Sequence, residues 1–200
     1  MVGYRRMRVP DGTFFFTVTL RDRRSALLTE RIDDLHAAWR AAKDRVPHDV
    51  IAAVVMPDHL HAVLRMRDGD GDYSRLWQDI KKGFTRRVCE PGARSPWQSR
   101  FWEHTVRCES SLAACVDYVH INPVKHGRVT RVRDWPHSTF HRYVQRGDLP
   151  PDWGDPPIDT SWPRPVARCS PGKRSAPGVV MHHIAAIPGA AYGLTRATGF

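Results

Sequence analysis

Two apolar runs, DVIAAVVM (49–56) and HLHAVLRM (59–66), are separated only by Pro57 and Asp58. Their length and composition suit strands bounded by a turn. A two-residue link is far too short for the crossover that parallel strands need, which favours an antiparallel pair.

The flanking segments supply the rest. GTFFFTVTL (12–20) is aromatic and β-branched and reads as a strand, and RFWEHTVRC (100–108) reads as another. In TERIDDLHAAWRAAKDRV (29–46), Ile32, Leu35, Ala38, Trp39 and Ala42 recur at helical spacing, with Thr29 a candidate N-cap and Pro47 just past the end. YSRLWQDIKKGFTRRVCE (73–90) sets Leu76, Ile80, Phe84 and Val88 one turn apart, and Gly83 weakens that helix without ending it. SSLAACVDYVHIN (110–122) reads as a helix capped by Ser110 or Ser111 and stopped by Pro123. The order β-α-β-β-α-β-α predicts an α+β fold: a ferredoxin-like split βαβ, an antiparallel sheet with helices packed on one face. This domain is expected to span residues 1–150. Residues 151–200, a quarter of the chain, hold half of the prolines, show no period, and read as a disordered tail.

The net charge is +10, an excess that points to a polyanionic partner, nucleic acid before membrane, because neutralised phosphates release counterions. No apolar run approaches the ~20 residues of a membrane span, and no apolar signal core follows the basic start MVGYRRMRVPDG. Cys89, Cys108, Cys115 and Cys169 form no CxxC pair and are expected to be reduced thiols of a cytoplasmic protein.

His59 and His61 stand two apart, so a strand turns both to one face while Leu60 and Ala62 point to the core. Two imidazoles on one face suit a divalent metal or a hydrogen-bonded pair, and the spacing alone does not choose. In DYVHINPVKHG, Tyr118 and Asn122 are i and i+4 and share a helical face. On its own, Asn122 before Pro123 reads as a helix stop.

Together the stretches are far more specific. HLH followed by YVHINPVKHG resembles the HUH endonuclease superfamily of DNA-nicking enzymes, and within its single-tyrosine transposases the REP-associated tyrosine transposases. YRRMRVPDGTFFFTVTLRDR is similar to that family's opening strand, WQSRFWEHTVR to its fourth strand, and DWPHSTFHRYV to its Trp-x-x-Ser segment. The likeness covers roughly residues 4–150. It implies that His59, His61 and Asn122 hold Mg²⁺ or Mn²⁺, and that Tyr118 attacks a phosphodiester to form a 5′-phosphotyrosine. It further implies single-stranded DNA beside a REP-like hairpin as partner, a monomer in the cytoplasm near the nucleoid, and no small-molecule cofactor beyond the metal.

Arg5, Arg6 and Arg8, then Lys81, Lys82, Arg86 and Arg87, then Lys125, Arg128, Arg131 and Arg133 form three basic runs expected to hold the strand. Trp97, Phe101 and Trp102 can stack bases, although core packing suits at least one. The alternatives are a shorter, dimeric insertion-sequence transposase of the same superfamily and a non-catalytic binder of single-stranded nucleic acid on the same scaffold.

Overall fold

The computed structural model describes residues 9–67, 69 and 72–155. Four strands, β1 (Thr13–Thr19), β2 (His48–Val55), β3 (His59–Met66) and β4 (Trp102–Val106), form one sheet in the order β2-β3-β1-β4. All of its pairings are antiparallel. The hairpin closes with Met56 N–H donating to His59 O at 2.8 Å. Placing β1 beside β3 sets Thr17 opposite His61 and Thr19 opposite His59.

Alternation along the strands splits the interior in two. Phe14, Phe16, Val18, Leu60, Ala62 and Leu64 face α2 (Ile32–Lys43) and α3 (Tyr73–Val88), whose Leu35, Trp39, Leu76, Trp77 and Ile80 complete the larger core. Gly83 permits the close approach of these helices, since a Cβ there would lie 3.2 Å from Ala38 Cβ. The expected 29–46 helix is divided: α1 (Leu27–Glu30) contains Thr29, and Arg31, at φ −118° and ψ 40°, separates it from α2. Thr29 therefore caps nothing; its hydroxyl donates to Ala26 O at 3.0 Å. At α3 the cap is Asp72, whose side chain accepts from Arg75 N–H at 3.1 Å.

The opposite face is also covered. Phe15, Val54 and Val63 meet Cys115, Val116 and Val119 of α4 (Glu109–Lys125). The helix pair of the ferredoxin-like unit thus lies on one face, and α4 adds a layer on the other. Helix α4 follows Cys108, with no side-chain cap from Ser110 or Ser111. It also runs through Pro123 rather than stopping before it. A proline removes one donor, yet in the last turn the neighbouring bonds suffice: His126 N–H donates to Asn122 O at 3.0 Å, and Gly127 N–H to Val124 O at 2.9 Å. Gly127, at φ +63°, is the left-handed residue that ends the helix.

The outer edge of β2 is covered by the segment leading into α5 (Phe140–Arg146). Val55 N–H donates to His137 O at 2.9 Å, Thr139 N–H to Ala53 O at 2.9 Å, and the Trp135 indole to Val55 O at 3.0 Å. An edge strand is thereby closed to pairing with other chains. Trp153 packs on Phe140 and His120, so the described fold runs past residue 150. Cys89 and Cys115 are free thiols, with burial pushing Cys115 up to about 12. Cys108 is disulfide-bonded, against the expectation of reduced cysteines. Sequence spacing carries no sign of such a bond, because pairing depends on tertiary approach. Cys169, Arg5, Arg6, Arg8 and residues 156–200 lie outside the described residues.

Candidate active site

Strand period and register turn His59 and His61 towards α4, the face that Phe15 and Val63 also occupy. Both are 4% exposed, and their ring centres are 4.9 Å apart. Tyr118, 5% exposed, sets its ring edge-on to His61 at 5.2 Å and to Phe15 at 5.7 Å. At the other end, His126 lies 5.3 Å from the His59 ring. The rings thus run Tyr118, His61, His59, His126 in a row. A cavity of about 450 Å³ opens on it, lined also by Thr17, Arg23, Arg100 and Trp102.

Each imidazole of the pair is held by its Nδ1. His59 Nδ1–H donates to Asp58 Oδ1 at 2.8 Å, and His61 Nδ1 lies 2.9 Å from the Thr17 hydroxyl. The nitrogen of each ring suited to a metal is therefore Nε2. Burial lowers the pKa of His59 despite the opposing pull of Asp58, which favours the neutral, ligating form. His126 is lowered as well, again chiefly by burial.

Among the described residues, no three His, Cys, Asp or Glu side chains gather as a metal cluster. A cation at the histidine pair therefore needs an oxygen ligand of another kind. Asn122 fits. It lies one turn after Tyr118, which touches His61, and one turn before His126, which touches His59. It is 0% exposed, and neither amide atom has a hydrogen-bond partner. It caps no helix, since α4 continues past it. A buried, orphaned amide on the helix between Tyr118 and His126 is chemically able to give a cation a neutral oxygen beside two imidazole nitrogens.

The other expected residues separate. Lys125 Nζ sits 5.0 Å from the centre of the Tyr118 ring. Arg128 is close enough to act electrostatically on His126. Lys81, Lys82 and Arg86 line a second cavity of about 790 Å³ along α3, whereas Arg87 lies outside it and lends its carbonyl to Arg31. Phe101 lines both cavities, and Lys81 lies over its ring at 5.5 Å. Trp97 is core, packed on Phe84, while Trp102 and Phe101 face the histidine cavity. His120 turns to the rear of α4, against Thr139 and Tyr143. Its ring is packed there among Thr139, Phe140, Tyr143 and Trp153, and burial pushes its pKa down to about 3. Sequence reading missed Asp58, Thr17, Arg23 and His126; only His126 left a signal, the i, i+4, i+8 recurrence from Tyr118.

A ferredoxin-like sheet that presents two histidines to a tyrosine-bearing helix has the architecture of the single-tyrosine transposases that its motifs resemble. Known proteins agree. The chain is 48% identical over 162 residues to a REP-associated tyrosine transposase of Escherichia coli, spanning 80% of this chain and 96% of that one. It is 36% identical over 168 residues to a putative one of Haemophilus influenzae, spanning 78% and 96%. A solved structure of a REP-associated tyrosine transposase bound to a REP hairpin superposes with a TM-score of 0.73 at 46% identity, covering 82% of this chain and 98% of that one. No family model matches. The chain belongs to the REP-associated tyrosine transposases.

Proposed function

We propose that this protein is a metal-dependent endonuclease and strand transferase for single-stranded DNA beside REP-like hairpins. Tyr118 is the nucleophile, and His59, His61 and Asn122 hold Mg²⁺ or Mn²⁺. What supports this reading is the buried Asn122 amide, without a hydrogen-bond partner, one turn from Tyr118 on the helix whose Tyr118 ring meets His61. The hairpin as substrate is supported by the solved relative, whose partner is a REP hairpin.

When bound, the divalent ion polarises a non-bridging oxygen of the scissile phosphate and offsets the charge developing there. The phenol oxygen of Tyr118 forms the new bond to phosphorus and gives up its proton to water, while the bond to the 3′ oxygen breaks and that oxygen takes up a proton from water. The products are a 5′-phosphotyrosine and a free 3′-hydroxyl. Bond energy is retained, so another 3′-hydroxyl can reverse the step without ATP. Lys125 puts a positive charge beside the ring as its oxygen becomes anionic. The strand leaves the tyrosine past Phe101 and Trp102 and continues along Lys81, Lys82 and Arg86, where stacking and phosphate contacts are sequence-tolerant. The protein acts as a monomer in the cytoplasm, on the nucleoid.

Labelled hairpin DNA with a single-stranded flank tests this. Wild type with Mn²⁺ should yield a denaturation-resistant protein–DNA adduct, absent with EDTA and absent in Tyr118→Phe. His59→Ala should lose the adduct while keeping hairpin affinity within a few-fold, because affinity rests on phosphate contacts. DNA binding by every variant with no adduct from wild type would leave the non-catalytic binder as the correct reading.

A further inference from the structure

Asp58 sits in the hairpin turn, its carbonyl held by Leu20 N–H at 2.8 Å. Its side chain is 8% exposed and bonds in two directions: Oδ1 accepts from His59 Nδ1, and Oδ2 accepts from Arg23 Nε at 2.9 Å. The Arg23 side chain is 53% exposed and lines the cavity that holds His59, His61 and Tyr118. One buried carboxylate thus ties an imidazole in the floor to a guanidinium at the rim.

We propose that Asp58 is a positioning residue that fixes both partners, and that Arg23 is a binding residue for a backbone phosphate of the strand in the cavity. This rests on the reading above, since it assumes a cation at His59 and DNA alongside it. The chemistry requires each part. A carboxylate only accepts, so Nδ1 of His59 keeps its proton and the Nε2 lone pair is the one presented; the negative charge also makes that nitrogen a stronger ligand. A carboxylate so enclosed would be costly alone, and Arg23 offsets its charge. With Nε on Asp58, the two terminal nitrogens of Arg23 form a fork that matches phosphate. A lysine has no second set of donors in fixed geometry, so it cannot hold carboxylate and phosphate together. Strand position and metal-ligand orientation are therefore set by one side chain.

The test measures two quantities on the full chain. Mn²⁺ affinity is read by electron paramagnetic resonance without DNA, and hairpin affinity is read across a salt series. His59→Ala serves as reference. Asp58→Ala should bind Mn²⁺ about 10–100-fold more weakly. Arg23→Gln should leave Mn²⁺ affinity within about twofold, weaken DNA binding about tenfold and reduce the salt slope by about 1. Arg23→Lys should restore the slope but not the whole affinity. Arg23→Gln should add little in an Asp58→Ala background. If Asp58→Ala does not fold, Asp58→Asn answers instead: it offers one acceptor to two donors, so at least one quantity must fall, and both unchanged would overturn the proposal. Unaltered Mn²⁺ affinity in folded Asp58→Ala, where His59→Ala loses it, removes the Asp58 role alone. An unaltered salt slope in Arg23→Gln removes the phosphate role. Mn²⁺ affinity insensitive to His59→Ala would sink the metal site itself and the Asp58 role with it.

Discussion

Asn122 has two opposed consequences for the molecule. A buried amide with no partner costs about 1–3 kcal/mol, so the fold is less stable for carrying it. In the proposed function the same oxygen is offered to a cation at the histidine pair. Asn122→Leu keeps the branched shape and removes the polar atoms. It is expected to raise the melting temperature in EDTA by about 2–4 °C and to weaken Mn²⁺ binding in a calorimetric titration. A lower melting temperature with unchanged Mn²⁺ affinity would mean that Asn122 serves the core and not the metal. Tyr118, Asn122, His59 and His61 were legible because each pair obeys a local period, two on a strand and four on a helix. Asp58, Thr17 and Arg23 were not. Their roles depend on the β1–β3 register, which sets Thr17 opposite His61, and on a turn that aims Asp58 at both neighbours. No local pattern encodes either.

Helix α4 has a working front and a structural back, and its pH response belongs to the back. Burial pushes His120 down to about 3, whereas an unfolded histidine titrates near 6.5. Below 6.5 the unfolded chain takes up a proton that the folded one refuses, so His120 costs stability as pH falls from 6.5 towards 3. Asp117 has the opposite sign. Burial pushes its carboxyl up to about 6 from 3.8, so it costs stability above that window and relieves the cost as pH falls through it. Urea midpoints at pH 7 and pH 4.5 should therefore converge in His120→Leu relative to wild type and diverge in Asp117→Asn. The reverse pattern would contradict the placement of both side chains. Strands and helices were legible at this scale from alternation and spacing. The continuation of α4 through Pro123 was not, because a final turn tolerates the missing donor when Gly127 closes it. Nor was the cover on β2: Thr139 and His137 contribute hydrogen bonds to strand residues more than 80 positions away, a tertiary event without local sequence marks.

As a whole, the molecule is a sheet with an apolar layer on one face and its chemistry on the other. The larger core between β1, β3, α2 and α3 contains no site residue; it fixes the strand that presents His59 and His61. The thinner core under α4 is interrupted by the cavity, and Phe101 joins that cavity to the basic groove of α3. The chemistry proposed for Tyr118 requires a cation at His59 and His61 to lie beside its ring. Site-specific incorporation of 3-fluorotyrosine at position 118 measures this directly. Addition of Mn²⁺ should broaden the fluorine resonance, and EDTA should restore it. The double substitution His59→Ala and His61→Ala should abolish the broadening in a protein that retains its melting transition. A fluorine line that stays sharp in wild type at saturating Mn²⁺ would contradict the account.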